Sequence, residues 1–174
     1  MDVHDASELP PPPPVATEAE RVARLEQACH DARAVLDGED DAVAIQATLA
    51  CLLREAMPHT IFCGFYRRTS DDELRVGPYQ GSLGCLRIAL SRGVCGRAAR
   101  TGQTQRVADV HAVADHIACD ARARSELVVP VVREGRVMAV LDLDAAELDA
   151  FREREASMLE ALLAELLGGS HVRW

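Results

Sequence analysis

Three cysteines in one part of the chain have a spacing that could support thiol redox chemistry. They lie ten and twenty-four residues apart, at Cys85, Cys95 and Cys119. Three carboxylates follow within reach of one predicted hairpin: Glu126, Asp142 and Asp144. A thiolate can attack an electrophile and then be resolved by a second thiol, while nearby acids bind or protonate the substrate. The stretch 85–144 therefore predicts thiol redox chemistry on a small polar substrate.

The loop of this hairpin decides whether the three carboxylates share a face. A two-residue turn would require a positive φ at Glu134, which is costly for a residue other than glycine. We therefore expect a three-residue loop, residues 133–135. That register pairs Glu126 with Asp142 and places all three acids on one face, because side chains alternate along a strand. The two-residue register would instead separate Glu126 from the aspartates.

Carboxylates that share one face repel each other, so at least one should have a raised pKa and the group should titrate together. One interpretation is a solvated strand end whose acids face water. The other is a pocket in which ionised acids hold an ammonium group and a protonated acid donates to a developing oxygen charge. Both remain open from the residues alone.

The positions of the cysteines favour an attacking thiol with resolving partners, although any of the three could singly be structural. Cys119 precedes the acid-bearing hairpin, and Cys85 lies just before a predicted strand. Cys95 lies at the start of a predicted helix, where the helix dipole favours the thiolate.

The remaining cysteines give no sign of a metal or disulfide framework. Cys29 and Cys51 fall on the predicted apolar stripes of two helices, where an unpaired cysteine behaves as a small hydrophobic residue. The sequence has no CxxC pair and no Cys/His spacing of the zinc-site kind, so we expect no metal and no cofactor.

Composition limits the kinds of partner and the cellular compartment that we expect for this chain. The chain has 174 residues, enough for one domain with a real core, and a net charge of -9, which disfavours nucleic acid as a partner. No apolar run approaches a membrane span and no signal peptide is recognisable, so we expect a cytoplasmic protein with reduced thiols.

Local patterns predict an α+β domain with a largely antiparallel sheet. Residues 1–16 contain a proline run and are expected to form a disordered arm, residues 17–167 a single domain, and residues 168–174 a C-terminal tail. Thr17 and Glu20 form a capping-box pattern at the first helix. The expected helices are 17–38, 40–57, 94–100 and 148–167, and the strands are 60–66, 74–76 (interrupted by Gly77-Pro78), 86–90, 105–108, 126–132 and 137–144.

Several short motifs resemble one known family. "GPYQG", "RGVCG", "DVH", "HIACDA", "SELVVPV" and "VLDLD" are similar to segments of the free methionine-(R)-sulfoxide reductases, enzymes of the GAF fold. The resemblance covers about residues 17–167, and its three-cysteine spacing is specific. It implies a GAF-like fold with a central sheet of about six strands flanked by N- and C-terminal helices.

The resemblance also implies roles for individual residues. Cys119 corresponds to the attacking cysteine, and Cys85 and Cys95 to resolving cysteines. The substrate pocket would contain the three acids together with Phe62 and Tyr79. The chain departs from the family at Phe62, where tryptophan is usual and its ring is thought to contact the substrate's methyl group.

These correspondences imply a reaction and its partners. Free methionine sulfoxide would be reduced through a sulfenic acid and an intramolecular disulfide, with a thioredoxin-like protein as reductant. The assembly is left open, with a homodimer as one possibility. A GAF module that senses a small ligand or oxidant without turnover is the competing hypothesis, because GAF folds also serve as binding modules.

Overall fold

The computed structural model describes residues 16–117 and 119–174. The predicted proline-rich arm therefore lies outside the described residues except for its last position. The helices and strands are α1 (Glu18–Val35), α2 (Ala42–Ala56), β1 (Thr60–Arg68), β2 (Glu73–Gly81), β3 (Arg87–Ala89), α3 (Gly93–Thr101), β4 (Gln105–Val107), β5 (Ser125–Arg133), β6 (Arg136–Ala145) and α4 (Glu153–Leu167).

The strands form one six-stranded sheet in the order β3-β2-β1-β6-β5-β4, and neighbouring strands are antiparallel. The predicted α+β class and the sheet of about six strands with terminal helices are confirmed. The β5–β6 hairpin lies beside β1, well inside the sheet, so the residues on it have rigid neighbours. Across the described ranges no helix is both long and apolar enough to cross a bilayer.

One face of the sheet is covered by α2 and α4, and α1 packs against these two helices, so that all three bury the larger core. The capping box predicted at α1 is present: Thr17 accepts from the Glu20 backbone, and the Glu20 carboxylate accepts from the Thr17 backbone. Such a cap satisfies amide groups that the first helical turn leaves without partners. The predicted stripe of α1, which includes Cys29, is buried.

The buried stripe of α2 was predicted at Val43, Ala47, Ala50 and Leu52 or Leu53, and it is correct in part. Ala50 and Leu53 are buried, whereas Val43 is 47% exposed and Cys51 is also exposed. Ile45 and Leu49, which were not predicted, complete the buried face. The helix is apolar almost all round, so several stripes at helical spacing were available and only packing against the sheet selects one.

The opposite face of the sheet is covered by α3 and by the loops on either side of it, and this smaller core lies around the acid-bearing strands. The helix predicted over 94–100 forms as α3, and Gly102 caps its end in the left-handed conformation, with φ 65°.

The predicted interruption of β2 at Gly77-Pro78 is wrong. The strand continues to Gly81, and its pairing with β1 shifts between Gly64, opposite Tyr79, and Tyr66, opposite Val76. The extra β2 residue forms a bulge, which accommodates glycine and proline without ending the strand.

The predicted three-residue loop of the β5–β6 hairpin is also wrong. Arg133 pairs with Arg136, leaving a two-residue turn in which Glu134 has φ 49° and Gly135 has φ 77°. Positive φ at both central residues is the geometry that matches the twist of a hairpin, and here it outweighs the local cost at Glu134.

The two-residue turn alone would place Glu126 on the face opposite the two aspartates, and a bulge in β6 returns it to their face. The register shifts by one residue near Val131, so Glu126 lies opposite Asp144, and Val128 lies opposite Asp142. The predicted pairing of Glu126 with Asp142 is therefore wrong. Alternation along the strands nevertheless puts the three acids on one face.

The last helix begins later than predicted, at Glu153 rather than near residue 148. Asp149 has φ 47°, which is incompatible with a helix at that position. Residues 168–174 contact the domain: Val172 is buried, and the Arg173 amide donates to the Asp40 carbonyl at 2.7 Å. That residues 168–174 form a tail separate from the domain stays a prediction.

Candidate active site

The three acids line a small cavity on the sheet face covered by α3. Glu126 and Asp142 are each 5% exposed, and Asp144 is partly buried. The cavity has a volume of about 20 Å³ and is bordered by these acids, by Cys95 and Cys119, and by residues of the loop that precedes β5. The alternative of a strand end with water-facing acids does not describe Glu126 and Asp142.

Burial and mutual repulsion make these carboxyl groups unusually weak acids. Burial first, and then the charge of Asp144, raise the pKa of Glu126 to about 8. Burial followed by Glu126 raises the pKa of Asp142 well above its ordinary range, and burial followed by Asp142 does the same for Asp144. The predicted rise in pKa is confirmed, and the cavity offers protonated carboxyl groups at neutral pH.

Cys119 borders the cavity from the loop between β4 and β5 and is joined by a disulfide to Cys85, with 5.2 Å between their Cα atoms. The loop is anchored to α3, since the Gly93 amide donates to the Asp115 carboxylate at 3.2 Å. The Arg122 guanidinium donates to Asp120, directly after Cys119, at 2.7 Å. Two loops that are distant in sequence thus meet through one bond at the edge of the acid cavity.

Cys95 lies in the first turn of α3, as predicted, but its environment does not favour the thiolate. The residue is 4% exposed, and burial followed by the charges of Asp142 and Glu126 raises its pKa well above the ordinary value. The prediction that the helix dipole favours a Cys95 thiolate is therefore wrong, because burial beside acids outweighs the dipole. Its sulfur lies 3.9 Å from the Glu126 carboxylate and is not in a disulfide.

Phe62 and Tyr79 lie beside the site rather than among the residues that border the cavity. Phe62 is 2% exposed and its ring stacks on Tyr66, at 5.9 Å, and on Tyr79, at 5.4 Å. The loop that carries Cys85 lies on this stack, since a Cβ on Gly84 would come 2.9 Å from the Phe62 ring. The Phe62 ring therefore packs against the loop that carries Cys85.

Sequence reasoning missed His116 as a site residue. Its Nε2 lies 3.6 Å from the Glu126 carboxylate, and its ring borders the cavity. Burial first, and then the nearby His111, lower the pKa of His116, so the imidazole is neutral. A histidine three residues before a candidate nucleophile could have been noticed, but nothing in the spacing indicates that it reaches β5.

Comparison with known proteins identifies relatives across most of the chain. The family described as GAF domain matches residues 40–166. The chain is 40% identical over 136 residues to the free methionine-R-sulfoxide reductase of Escherichia coli, covering 78% of this chain and 82% of that protein.

Comparison with solved structures also identifies relatives that cover most of the chain. The free methionine-R-sulfoxide reductase of Neisseria meningitidis, determined in complex with its substrate, superposes with a TM-score of 0.80 at 40% identity, covering 87% of this chain and 90% of that chain. A putative GAF sensor protein from Burkholderia vietnamiensis superposes with a TM-score of 0.79 at 40% identity, covering 90% and 96%.

Proposed function

The chain belongs to the GAF-domain family of free methionine-R-sulfoxide reductases, and we propose that it reduces free methionine-(R)-sulfoxide with Cys119 as the attacking thiol. The observation that carries the assignment is the Cys85–Cys119 disulfide at a cavity lined by buried acids. A disulfide between two loops beside a polar pocket is the product expected after one turnover.

The first step transfers the oxygen of the substrate to Cys119. The Cys119 thiolate attacks the sulfoxide sulfur while a protonated carboxyl donates its proton to the oxygen. The resulting hydroxyl group then moves to the cysteine sulfur as the bond between the two sulfurs breaks, which leaves methionine and a Cys119 sulfenic acid. Glu126 is suited to this donation because its raised pKa keeps it protonated at neutral pH. The substrate loses its oxygen and gains two electrons from the thiol.

The second step forms the disulfide. The thiol of Cys85 attacks the sulfenic acid of Cys119, water leaves, and the Cys85–Cys119 bond results. Cys95 is the second candidate for resolution, since it borders the same cavity. An external dithiol of the thioredoxin type then supplies two electrons and restores both thiols.

The acids also predict that free methionine sulfoxide is a better substrate than methionine sulfoxide inside a peptide. An ammonium group that enters the cavity compensates the charge of Asp142 or Asp144 and so favours their ionised forms. A methionine sulfoxide inside a peptide has no free ammonium, and its backbone would have to enter a closed site.

We place the reaction in the cytoplasm, where the disulfide can be re-reduced continuously. A homodimer remains compatible with the proposal but is not required by it. Neither nucleic acid nor a membrane has a part in the chemistry.

The experiment that tests the proposal follows loss of free methionine-(R)-sulfoxide by amino-acid analysis with dithiothreitol as reductant. Cys119→Ser should abolish even a single turnover, and a blocked derivative of the substrate without its free ammonium should be reduced far more slowly by the wild type. Cys51→Ser is the matched control, because Cys51 is an exposed thiol on α2. A fully active Cys119→Ser protein would overturn the mechanism and favour the sensor hypothesis.

A further inference from the structure

Side chains from three separate elements bring metal-binding atoms together inside the acid cavity. The Cys95 sulfur from α3 and carboxylate oxygens of Glu126 and Asp142 from β5 and β6 lie within 4.8 Å of one another, and all three residues are buried. The His116 imidazole adds a nitrogen 3.6 Å from Glu126. Ligand atoms around a tetrahedral ion lie roughly 3–4 Å apart, given metal–ligand distances of about 2.0–2.3 Å.

A second observation points to a ligand at this position. The Asp142 Oδ1 atom is buried and has no hydrogen-bond partner. A buried carboxyl oxygen without a partner is costly and is usually satisfied by an ion, a ligand or a water molecule. The cavity that these groups border has a volume of about 20 Å³, which suits one atom-sized group.

The types of donor atom select the kind of ion. A thiolate with two carboxylates and a neutral imidazole forms a mixed sulfur, oxygen and nitrogen set that suits Zn²⁺. Ca²⁺ and Mg²⁺ prefer oxygen ligands alone, and Cu⁺ prefers sulfur. Binding of a dication would release the protons that Cys95, Glu126 and Asp142 carry and would stabilise their charged forms.

We propose that this cluster of Cys95, Glu126, Asp142 and His116 binds Zn²⁺ and that the bound ion inhibits the enzyme. The ion occupies the acids needed by the ammonium and the proton transfer, and it also engages the Cys95 thiol. Cys95 is free while Cys85 and Cys119 are joined, so the ion can bind both the reduced and the disulfide-linked protein. Binding does not require the proposed activity, whereas the inhibition rests on it.

Titration of the full-length protein with Co²⁺, a spectroscopic substitute for Zn²⁺, tests the binding. The wild type should give a thiolate-to-cobalt charge-transfer band in the near ultraviolet, saturating at one ion per chain. Cys95→Ser should lose the band, and Cys51→Ser, which removes an exposed thiol, should keep it. A band absent from the wild type, or lost in Cys51→Ser and kept in Cys95→Ser, would overturn the proposal.

Two further variants keep the test decisive if Cys95→Ser does not fold. Glu126→Gln and Asp142→Asn should retain the band but weaken Zn²⁺ binding, measured against a chromophoric chelator. Loss of a ligand should cost at least the roughly tenfold in affinity that loss of an outer partner of a metal ligand costs. Unchanged affinity in both variants would refute the site.

The inhibition is measured on pre-reduced protein freed of excess thiol, in a single turnover. One equivalent of Zn²⁺ should suppress methionine formation, and a chelator should restore it. Full turnover in the presence of a bound ion would refute the inhibition. An absent cobalt band in a protein that still reduces methionine sulfoxide would refute the metal site alone, whereas an active Cys119→Ser protein would refute only the reductase mechanism.

Discussion

Replacement of Phe62 by alanine separates a structural role of this ring from contact with the substrate. The side chain is 2% exposed and packs between Tyr66 and Tyr79, beneath the loop that carries Cys85. Truncation of a fully buried phenylalanine typically costs about 3–5 kcal/mol, of which each aromatic pair accounts for about 0.5–1.5 kcal/mol. Because little of the ring is exposed, we expect a loss near the middle of that range, about 4 kcal/mol.

The assay combines unfolding with steady-state kinetics. For a domain of this size, about 4 kcal/mol corresponds to a decrease in Tm of roughly 10 °C. Since the ring does not border the cavity, KM for methionine sulfoxide should change by less than about twofold at temperatures where the variant is folded. Phe62→Leu is a milder variant that retains much of the buried volume.

Phe151→Ala is the matched control, since Phe151 is 1% exposed in the core on the other face of the sheet. It should lose a similar free energy of unfolding with no change in KM. If Phe62→Ala instead raises KM about five- to tenfold more than Phe151→Ala does, the ring contacts the substrate. The reasoning from burial would then be refuted, and the role implied by the family resemblance supported.

Two predictions concern the loops joined by the disulfide. Gly84→Ala should slow formation of the Cys85–Cys119 bond several-fold, because the new Cβ would lie 2.6 Å from the Tyr66 hydroxyl and the loop must shift. Quenched alkylation with mass spectrometry measures the rate of bond formation. A rate equal to that of the wild type would contradict the expectation. The disulfide-linked protein should bind free methionine sulfoxide at least about tenfold more weakly than Cys119→Ser protein, because its cavity measures only about 20 Å³. Equilibrium dialysis compares the two, and equal affinities would exclude a closed oxidised site.

The fold was largely predictable because its local signals agree with its packing. The capping box at Thr17 and Glu20 and the left-handed Gly102 act within one turn of chain, so sequence patterns capture them. The stripe of α2 was predicted only in part, with Ala50 and Leu53 buried but Val43 exposed, since a largely apolar helix can be buried in several orientations. Asp149, whose positive φ precedes the late start of α4, donates its amide to the Ala108 carbonyl at 2.9 Å, a contact distant in sequence that local patterns do not indicate.

The acid site was predicted through two errors that cancel. The sequence favoured a three-residue turn without a bulge, whereas the chain uses a two-residue turn at Glu134-Gly135 and a bulge in β6. Each change alone would move Glu126 to the face opposite the aspartates, and together they return it. His116 could not be placed by such reasoning, because its approach to Glu126 depends on the folded path of a long loop.

The cavity in the disulfide-linked protein has consequences for the order of events. Its volume of about 20 Å³ is small beside the roughly 300–1,000 Å³ of pockets that bind small molecules. The Cys85–Cys119 bond ties together the two loops at the edge of this cavity. Both loops are held by neighbours: Cys85 packs against the core that contains the Phe62 ring, and Ile117, two residues before Cys119, packs against the same core. We therefore expect reduction of the Cys85–Cys119 bond to precede substrate binding, because the bond holds these two loops together at the edge of the cavity.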